Sequence, residues 1–330
     1  MRRLGCPSCG AEIWFHNTAC LSCGAELGFQ PGRGLVPLGT CGGAACANRA
    51  VIGCNWVAAA PGGLCLSCAH STVVPDLSVP GNDRRWARIE RDKRMLMRLL
   101  DALGLPLRDG AGAPAPVFEL RGDPIGPAPG PKVITGHAHG TITLNIAEAD
   151  DAERERIRAE MGEPYRTLAG HLRHEVAHHY WDLLVAENPA ALDRLRPVFG
   201  DERADYGAAL ERHYREGPPP GWEATHVTAY ATAHPWEDFA DTWAHLFHIL
   251  DSMETALAYD LLRDDGLQGL EVAALAALPV ERLAEPWIAL SVALNAVNEA
   301  MGHGRFYPFV LSPAVLEKLE AIRRLLPVAG

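Results

Sequence analysis

The chain has 330 residues, 48% hydrophobic and 22% charged, which suits about two packed domains and excludes a wholly disordered chain. Its 30 Lys and Arg against 41 Asp and Glu leave a net charge of −11, which speaks against nucleic acid as a partner of the whole molecule. No apolar run reaches the roughly 20 residues that cross a bilayer, and MRRLGCPSCGAEIWFHNTAC lacks the apolar stretch of a secretory signal, so a cytoplasmic protein without a membrane partner is expected.

All nine cysteines fall in the first 68 residues. In a reducing compartment such clustering points to metal rather than to disulfides. Cys6-Pro-Ser-Cys9 and Cys20-Leu-Ser-Cys23 are two knuckles ten residues apart, each followed by glycine, Gly10 and Gly24. Four thiolates at that spacing complete a closed tetrahedral zinc site, the first structural zinc. Cys65-Leu-Ser-Cys68 is a third knuckle, and Cys46 and Cys54 are its expected partners in a second structural site. Cys41 is then spare, although pairing of Cys41 with Cys46 is the rival arrangement. Closed four-thiolate sites have no position for a reacting water, so both zincs are expected to be structural.

Residues 1–75 therefore read as a zinc-ribbon module with two four-cysteine sites, and 76–105 as a linker with a basic amphipathic helix over 83–103. That helix carries Arg84, Arg85, Arg88, Arg91, Lys93, Arg94 and Arg98, expected on a solvated face that packs on the acidic remainder. Residues 106–131 hold seven prolines and five glycines and read as loop. KVITGHAHGTITLNI, rich in Ile, Thr and Val, predicts a hairpin or edge-strand pair. From about residue 152 the pattern is helical, with segments at 153–161, 165–186, 190–196, 202–215, 223–232, 236–250, 253–262, 268–277, 286–301 and 313–325, broken chiefly at prolines that include Pro197. The expected fold class is α+β: small zinc ribbons, then a mainly helical domain with a short β-sheet over 106–330.

Within the 165–186 segment stands His174-Glu175-Val176-Ala177-His178. Residues four apart share a helix face, so two imidazoles there can hold one metal ion with Glu175 beside it as general base. The chain continues with Trp181 and Leu184 where an extended motif would place glycine and a third histidine. A downstream carboxylate is the expected third ligand. In His234-Pro235-Trp236-Glu237-Asp238-Phe239-Ala240-Asp241 the proline opens a helix, Glu237 lies in its first turn, and Asp241 follows one turn later. Glu237 can complete a site of two histidines and a glutamate, and Asp241 can accept the free ring N–H of a ligand histidine. Asp201 or Asp205 in FGDERADYGAAL is the competing ligand. Tyr230 and His245 are the candidate donors to a developing oxyanion, with His234 and His248 also nearby.

HExxH followed by ExxAD resembles the gluzincin class of zinc metallopeptidases. More closely, the chain resembles a bacterial family of zinc-binding metallopeptidases with an amino-terminal zinc ribbon. The resemblance rests on the cysteine ribbon, CAN and CNW, VPDLSVP, TGHAHGTITLNIAEADD, EPYRTLAGHLRHEVAHHYWDLL, FGDERADYGAAL and YATAHPWEDFADTWAHLFHILD, spread over residues 1–255. It implies that His174, His178 and Glu237 are zinc ligands, Glu175 the base and Asp241 the orienting carboxylate. It further implies an edge strand, GHAHGTITLNI, along the cleft. The expectation is a zinc-dependent metallohydrolase acting on a peptide or protein substrate, with one catalytic and two structural Zn2+. The alternatives are a zinc amidase or isopeptidase, or a non-catalytic adaptor. A protein partner at the ribbon fits either course.

Overall fold

The computed structural model describes residues 2–40, 42–124, 130–161 and 167–329, so Cys41 lies outside the described residues. It forms two compact units, Met1–Ile157 and Arg158–Gly330. The fold is α+β, with cysteine clusters at the amino-terminal end and helices dominating the second unit.

The first unit opens with short antiparallel pairs. β1 (Leu4–Gly5) pairs with β2 (Glu12–Ile13), and β3 (Leu27–Gln30) with β4 (Gly34–Pro37). β5 (Ala44–Ala45) precedes the one-turn helix α1 (Arg49–Ile52) and pairs with β6 (Val57–Ala58). Gly10 and Gly24 take φ of 77° and 73°, and their N–H groups return to the carbonyls of Cys6 and Cys20 at 2.8 and 2.9 Å. A side chain would strain either turn, which explains glycine after each knuckle. Phe15, Phe29 and Trp56 form the small core, with ring centroids 4.9 and 4.8 Å apart along the row.

α2 (Leu66–Ala69) leads into β7 (Ser71–Val73) and then α3 (Asn82–Ala102). The basic face of α3 is only partly solvated. Arg85 and Arg88 reach Asp150 and Asp151 at 2.9 and 3.5 Å, as a surface face would. Lys93 and Arg94, in contrast, are buried. The Lys93 ammonium meets Glu90 at 2.9 Å and also donates to Ser71, while its charge lies 5.3 Å from the Phe118 ring centroid. The expectation of one solvated basic face fails because α3 is covered by α1 and α2 as well as by the sheet side.

β8 (Val117–Arg121), β9 (Gly136–Ala138) and β10 (Thr141–Asn145) complete a four-stranded sheet in the order β7-β8-β10-β9. β10 runs parallel to β8, with Ile142 opposite Phe118, and antiparallel to β9, with Ile142 opposite His137. Phe118, Leu120, Ile142 and Leu144 alternate onto the buried face, which is the period-two pattern of a half-buried sheet. The β9–β10 hairpin turns through His139 and Gly140, and β9 is an edge strand. α4 (Asp151–Met161) follows.

The second unit contains α5 (Leu168–Trp181), α6 (Pro189–Phe199), α7 (Tyr206–Glu216), α8 (Pro235–Ala258), α9 (Val272–Ala277), α10 (Val280–Ala300) and α11 (Pro313–Arg323). Three sequence expectations need correction. The segments 236–250 and 253–262 join as α8 up to Ala258, because Leu250, Met253, Ala256 and Leu257 continue its buried stripe without a breaker. Pro197 and Pro286 lie inside α6 and α10, where each removes one N–H donor without ending the helix. The 223–232 helix is absent, replaced by single turns at Trp222–Ala224 and Tyr230–Thr232. Thr225 and Thr228 bond nearby backbone there, the local competition that makes threonine a poor helix interior. Among the described residues, no helix is long and apolar enough to cross a membrane.

α8 packs on α5 and α11. At the second contact Lys318 meets Asp238 at 2.6 Å with both side chains almost fully enclosed, and it also donates to the Thr225 carbonyl. Burial pushes the Asp238 carboxyl up to about 7, against the pull of the Lys318 ammonium. Lys318→Met is expected to destabilise this unit by about 3–5 kcal/mol, since it strands a buried carboxylate. Denaturant titration checks this, and adding Asp238→Leu should restore much of the loss; a stability unchanged by Lys318→Met alone would show that the pair does not hold α11 to α8.

Candidate metal centres

α5 begins at Thr167, whose hydroxyl accepts the Gly170 N–H at 3.0 Å. Leu172, Val176, Ala177 and Tyr180 form its fully enclosed side, and Tyr180 stacks on Trp243 of α8 at 5.3 Å. This contact docks the two helices. A π-helical turn, Asp182–Ala186, extends α5 beyond Trp181.

α8 begins at His234, which accepts the Trp236 N–H at 3.1 Å and holds the Ala204 carbonyl with its other nitrogen, 3.0 Å away. Pro235 supplies the preset first helical residue. Glu237 in the first turn faces the positive end of the helix dipole, and it is 2% exposed.

These two helices bring three ligand atoms together. His174 Nε2 lies 3.2 Å from His178 Nε2 and 3.0 Å from Glu237 Oε2, and His178 Nε2 lies 3.7 Å from the same oxygen. Ligands at 2.0–2.2 Å from a tetrahedral ion stand about 3.3–3.6 Å apart, so the set has the dimensions of a zinc site. Glu237 Oε2 is buried and makes no hydrogen bond, which leaves a carboxylate oxygen aimed at two imidazole nitrogens. The residues present fit a zinc ion.

The surroundings fix each ligand. Asp241 Oδ1 lies 2.7 Å from His174 Nδ1, so the ring donates there and turns Nε2 toward the other ligands. Thr228 accepts the Ala231 N–H at 2.9 Å and donates its own proton to the second Asp241 oxygen. Tyr206 donates to Glu237 Oε1 at 2.6 Å, leaving Oε2 turned toward the two imidazoles. Trp236 covers His178, with ring centroids 4.0 Å apart. Burial opposes charge throughout, yet Asp241 and Glu237 raise His174 well above the ordinary histidine range. Burial likewise resists ionisation of Glu237, but His174 and His178 bring its carboxyl down to about 2. The carboxylate is therefore ionised and ready to bind a cation.

Glu175 is enclosed on α5 beside His174, and its charge bears on the Tyr206 hydroxyl, which burial and Glu237 also keep protonated. Tyr230 is half-buried, its ring 6.1 Å from that of His174, and burial raises its phenol strongly. His245 sits one turn beyond Asp241 among aromatic rings, 2.8 Å from the Tyr307 hydroxyl and 4.4 Å from the Phe309 ring. His248 is engaged by Arg173 at 2.5 Å. Asp205 caps α7 through the Ala208 N–H at 2.9 Å, and Asp201 pairs with Arg203 at 2.7 Å. Neither aspartate joins the three ligand atoms. Tyr206 and Thr228 were missed from the sequence; the one local hint was that Tyr206 follows Asp205 in a segment already under suspicion.

The cysteines form two further groups, Cys6 with Cys9, Cys20 and Cys23, and Cys46 with Cys54, Cys65 and Cys68. Sulfur pairs stand 3.8 and 3.7 Å apart in the first group, and 3.7 Å for both Cys54–Cys65 and Cys54–Cys68 in the second. Four thiolates at 2.3 Å from a tetrahedral zinc would stand about 3.8 Å apart. Backbone N–H groups of Ser8, Cys65 and Cys68 point at sulfurs of Cys6, Cys46 and Cys65, each at 3.4 Å. Cys9 and Cys23 are exposed, whereas all four cysteines of the second group are buried.

Comparison with known proteins agrees with this inventory. Residues 82–325 match a family described as "Putative zinc-binding metallo-peptidase", and residues 3–38 match a zinc-ribbon domain. The chain is 42% identical over 328 residues to Uncharacterized protein Mb2598c of Mycobacterium bovis, covering 98% of this chain and 94% of that protein. Uncharacterized protein Rv2568c of Mycobacterium tuberculosis gives the same identity and coverage. No solved structure matches. The chain belongs to this zinc-binding metallopeptidase family and carries an amino-terminal zinc ribbon.

Proposed function

We propose that this family member is a zinc-dependent peptidase whose catalytic ion is held by His174, His178 and Glu237. The observation that carries the reading is the unbonded, buried Glu237 Oε2 facing both imidazole Nε2 atoms. Zinc bound there supplies Lewis-acid polarisation of a carbonyl and acidifies water toward a pKa of ~7. Glu175 takes the proton of the attacking water and delivers it to the leaving amine. Asp241, steadied by Thr228, keeps His174 in the tautomer that presents Nε2. Tyr230 is the donor we assign to the developing oxyanion, since its phenol stays protonated and His245 is committed to Tyr307. The two cysteine groups hold structural zinc.

Elemental analysis of the purified full chain should find three zinc ions, falling to two in the His174→Ala/His178→Ala double variant. The same preparation should cleave members of a broad peptide library and lose that activity on chelation. Full zinc with no cleavage of peptides but release of small amides would favour an amidase. Full zinc with no hydrolysis of either would leave an adaptor.

A further inference from the structure

Within the second unit, two adjoining cavities of about 210 and 370 Å³ lie between α7 and the chain that leads into α8. Both are lined by Ala209 and Arg212 of α7 and by Thr232 and Ala233, just ahead of the His234 cap. Pro218, Pro219 and Pro220 wall the larger one, and their fixed φ makes that wall stiff.

The charges around this space are unequally spent. Glu216 lines the larger cavity but pairs with Arg215 at 2.8 Å, and Asp238 lines the smaller one but pairs with Lys318 at 2.6 Å. Burial lowers both His213 and His226, and Lys318 adds to the effect on His226, bringing it to about 4, so at neutral pH the two rings are largely uncharged. Arg212 is exposed to both cavities, and its guanidinium has no ion pair or hydrogen bond among the described residues. A guanidinium stays charged at any working pH, and its fork of N–H donors matches a carboxylate. The lining acids are already engaged and this cation is not, so the space favours an anionic guest.

α7 sets the distance from this cation to the proposed metal centre. Tyr206, which bonds Glu237, opens the helix, and Arg212 follows six residues on, about 9 Å along the axis at 1.5 Å per residue. On the other side the Tyr230 ring stands between that of His213, 5.9 Å away, and that of His174, 6.1 Å away. An extended peptide advances about 3.3 Å per residue, so two or three residues of substrate cover the step.

We propose that Arg212 is a specificity residue, and that the cavities beside it take a substrate carboxylate two or three residues from the scissile bond. The carboxylate belongs to an Asp or Glu side chain or to the substrate's own C-terminus. The inference rests on the peptidase reading above and names the substrate chemistry of that site.

Kinetics of the zinc-loaded full chain on matched peptides test it. A cleaved library peptide is remade with Glu or Gln at each position within four residues of the cleaved bond, and with a free or an amidated C-terminus. One carboxylate should raise kcat/KM about 5–30-fold over its amide, the range for a charge-assisted contact at a partly exposed site. Preference for Glu over Gln identifies a side chain, and preference for the free over the amidated end identifies the C-terminus. Arg212→Gln should bring that ratio close to one and Arg212→Glu should invert it, both with the zinc content of the wild type. Should one variant fail to fold, the other decides. A wild type that cleaves acid and amide equally, or a preference that survives Arg212→Gln, overturns the proposal alone. A fully zinc-loaded wild type that cleaves no peptide removes the peptidase reading, and the proposal with it.

Discussion

Glu175→Gln should abolish nearly all hydrolysis while leaving the zinc content at three. Glutamine keeps the size and the hydrogen-bonding capacity of the side chain but cannot accept the proton of an attacking water. A positioned base contributes about 10²–10⁴-fold, so kcat should fall by that amount. Glu175 is not among the three converging ligand atoms, so its substitution by the isosteric glutamine should leave the ligand set intact. Steady-state kinetics on any cleaved peptide, paired with elemental analysis, gives both numbers. An active Glu175→Gln protein would sink the mechanism, whatever its metal content.

Glu237→Gln should fail in the opposite order, through the metal first. The substitution removes the anionic ligand and leaves an amide between two imidazoles, and the helix amino terminus loses its compensating charge. Zinc content should fall toward two, and activity should return only in excess zinc. Asp241→Asn is the graded companion. It keeps the three ligands but weakens the acceptor that orients His174, so a loss of roughly 10–100-fold in affinity or activity is expected. Competition with a chelator of known strength ranks the proteins. If Glu237→Gln kept its zinc as tightly as the wild type, Glu237 would not be a ligand.

How much of this was legible in the sequence depended on distance along the chain. His174 and His178 share a helix, as do Glu237 and Asp241, and a four-residue step says which face they occupy before any fold is known. Cysteine knuckles followed by glycine are equally local. Tyr206 and Thr228 were invisible because their partners lie 31 and 13 residues away, joined only after α7 and the Thr228 turn pack beside α8. The burial of Lys93 and Arg94 was hidden for the same reason. Charges at 84, 85, 88, 91, 93, 94 and 98 look alike on a helical projection, and only Ser71, Glu90 and the packed α1 and α2 distinguish them. The missing 223–232 helix reflects local competition by threonine, which periodicity alone does not register.

All three proposed ligands of the catalytic centre sit on two helices, with His174 and His178 on one side and Glu237, 63 positions after His174, on the other. An ion bound between them ties a long loop of chain shut, so zinc occupancy and the docking of α5 on α8 are thermodynamically one event. The Tyr180–Trp243 stack and the Tyr206 and Asp241 bonds hold the same side chains in place. On the proposed ligand set, metal affinity would be a readout of tertiary structure. Damage to the hydrophobic seam between the helices, far from any ligand atom, would surface as a leaky metal site before it surfaced as an unfolded chain.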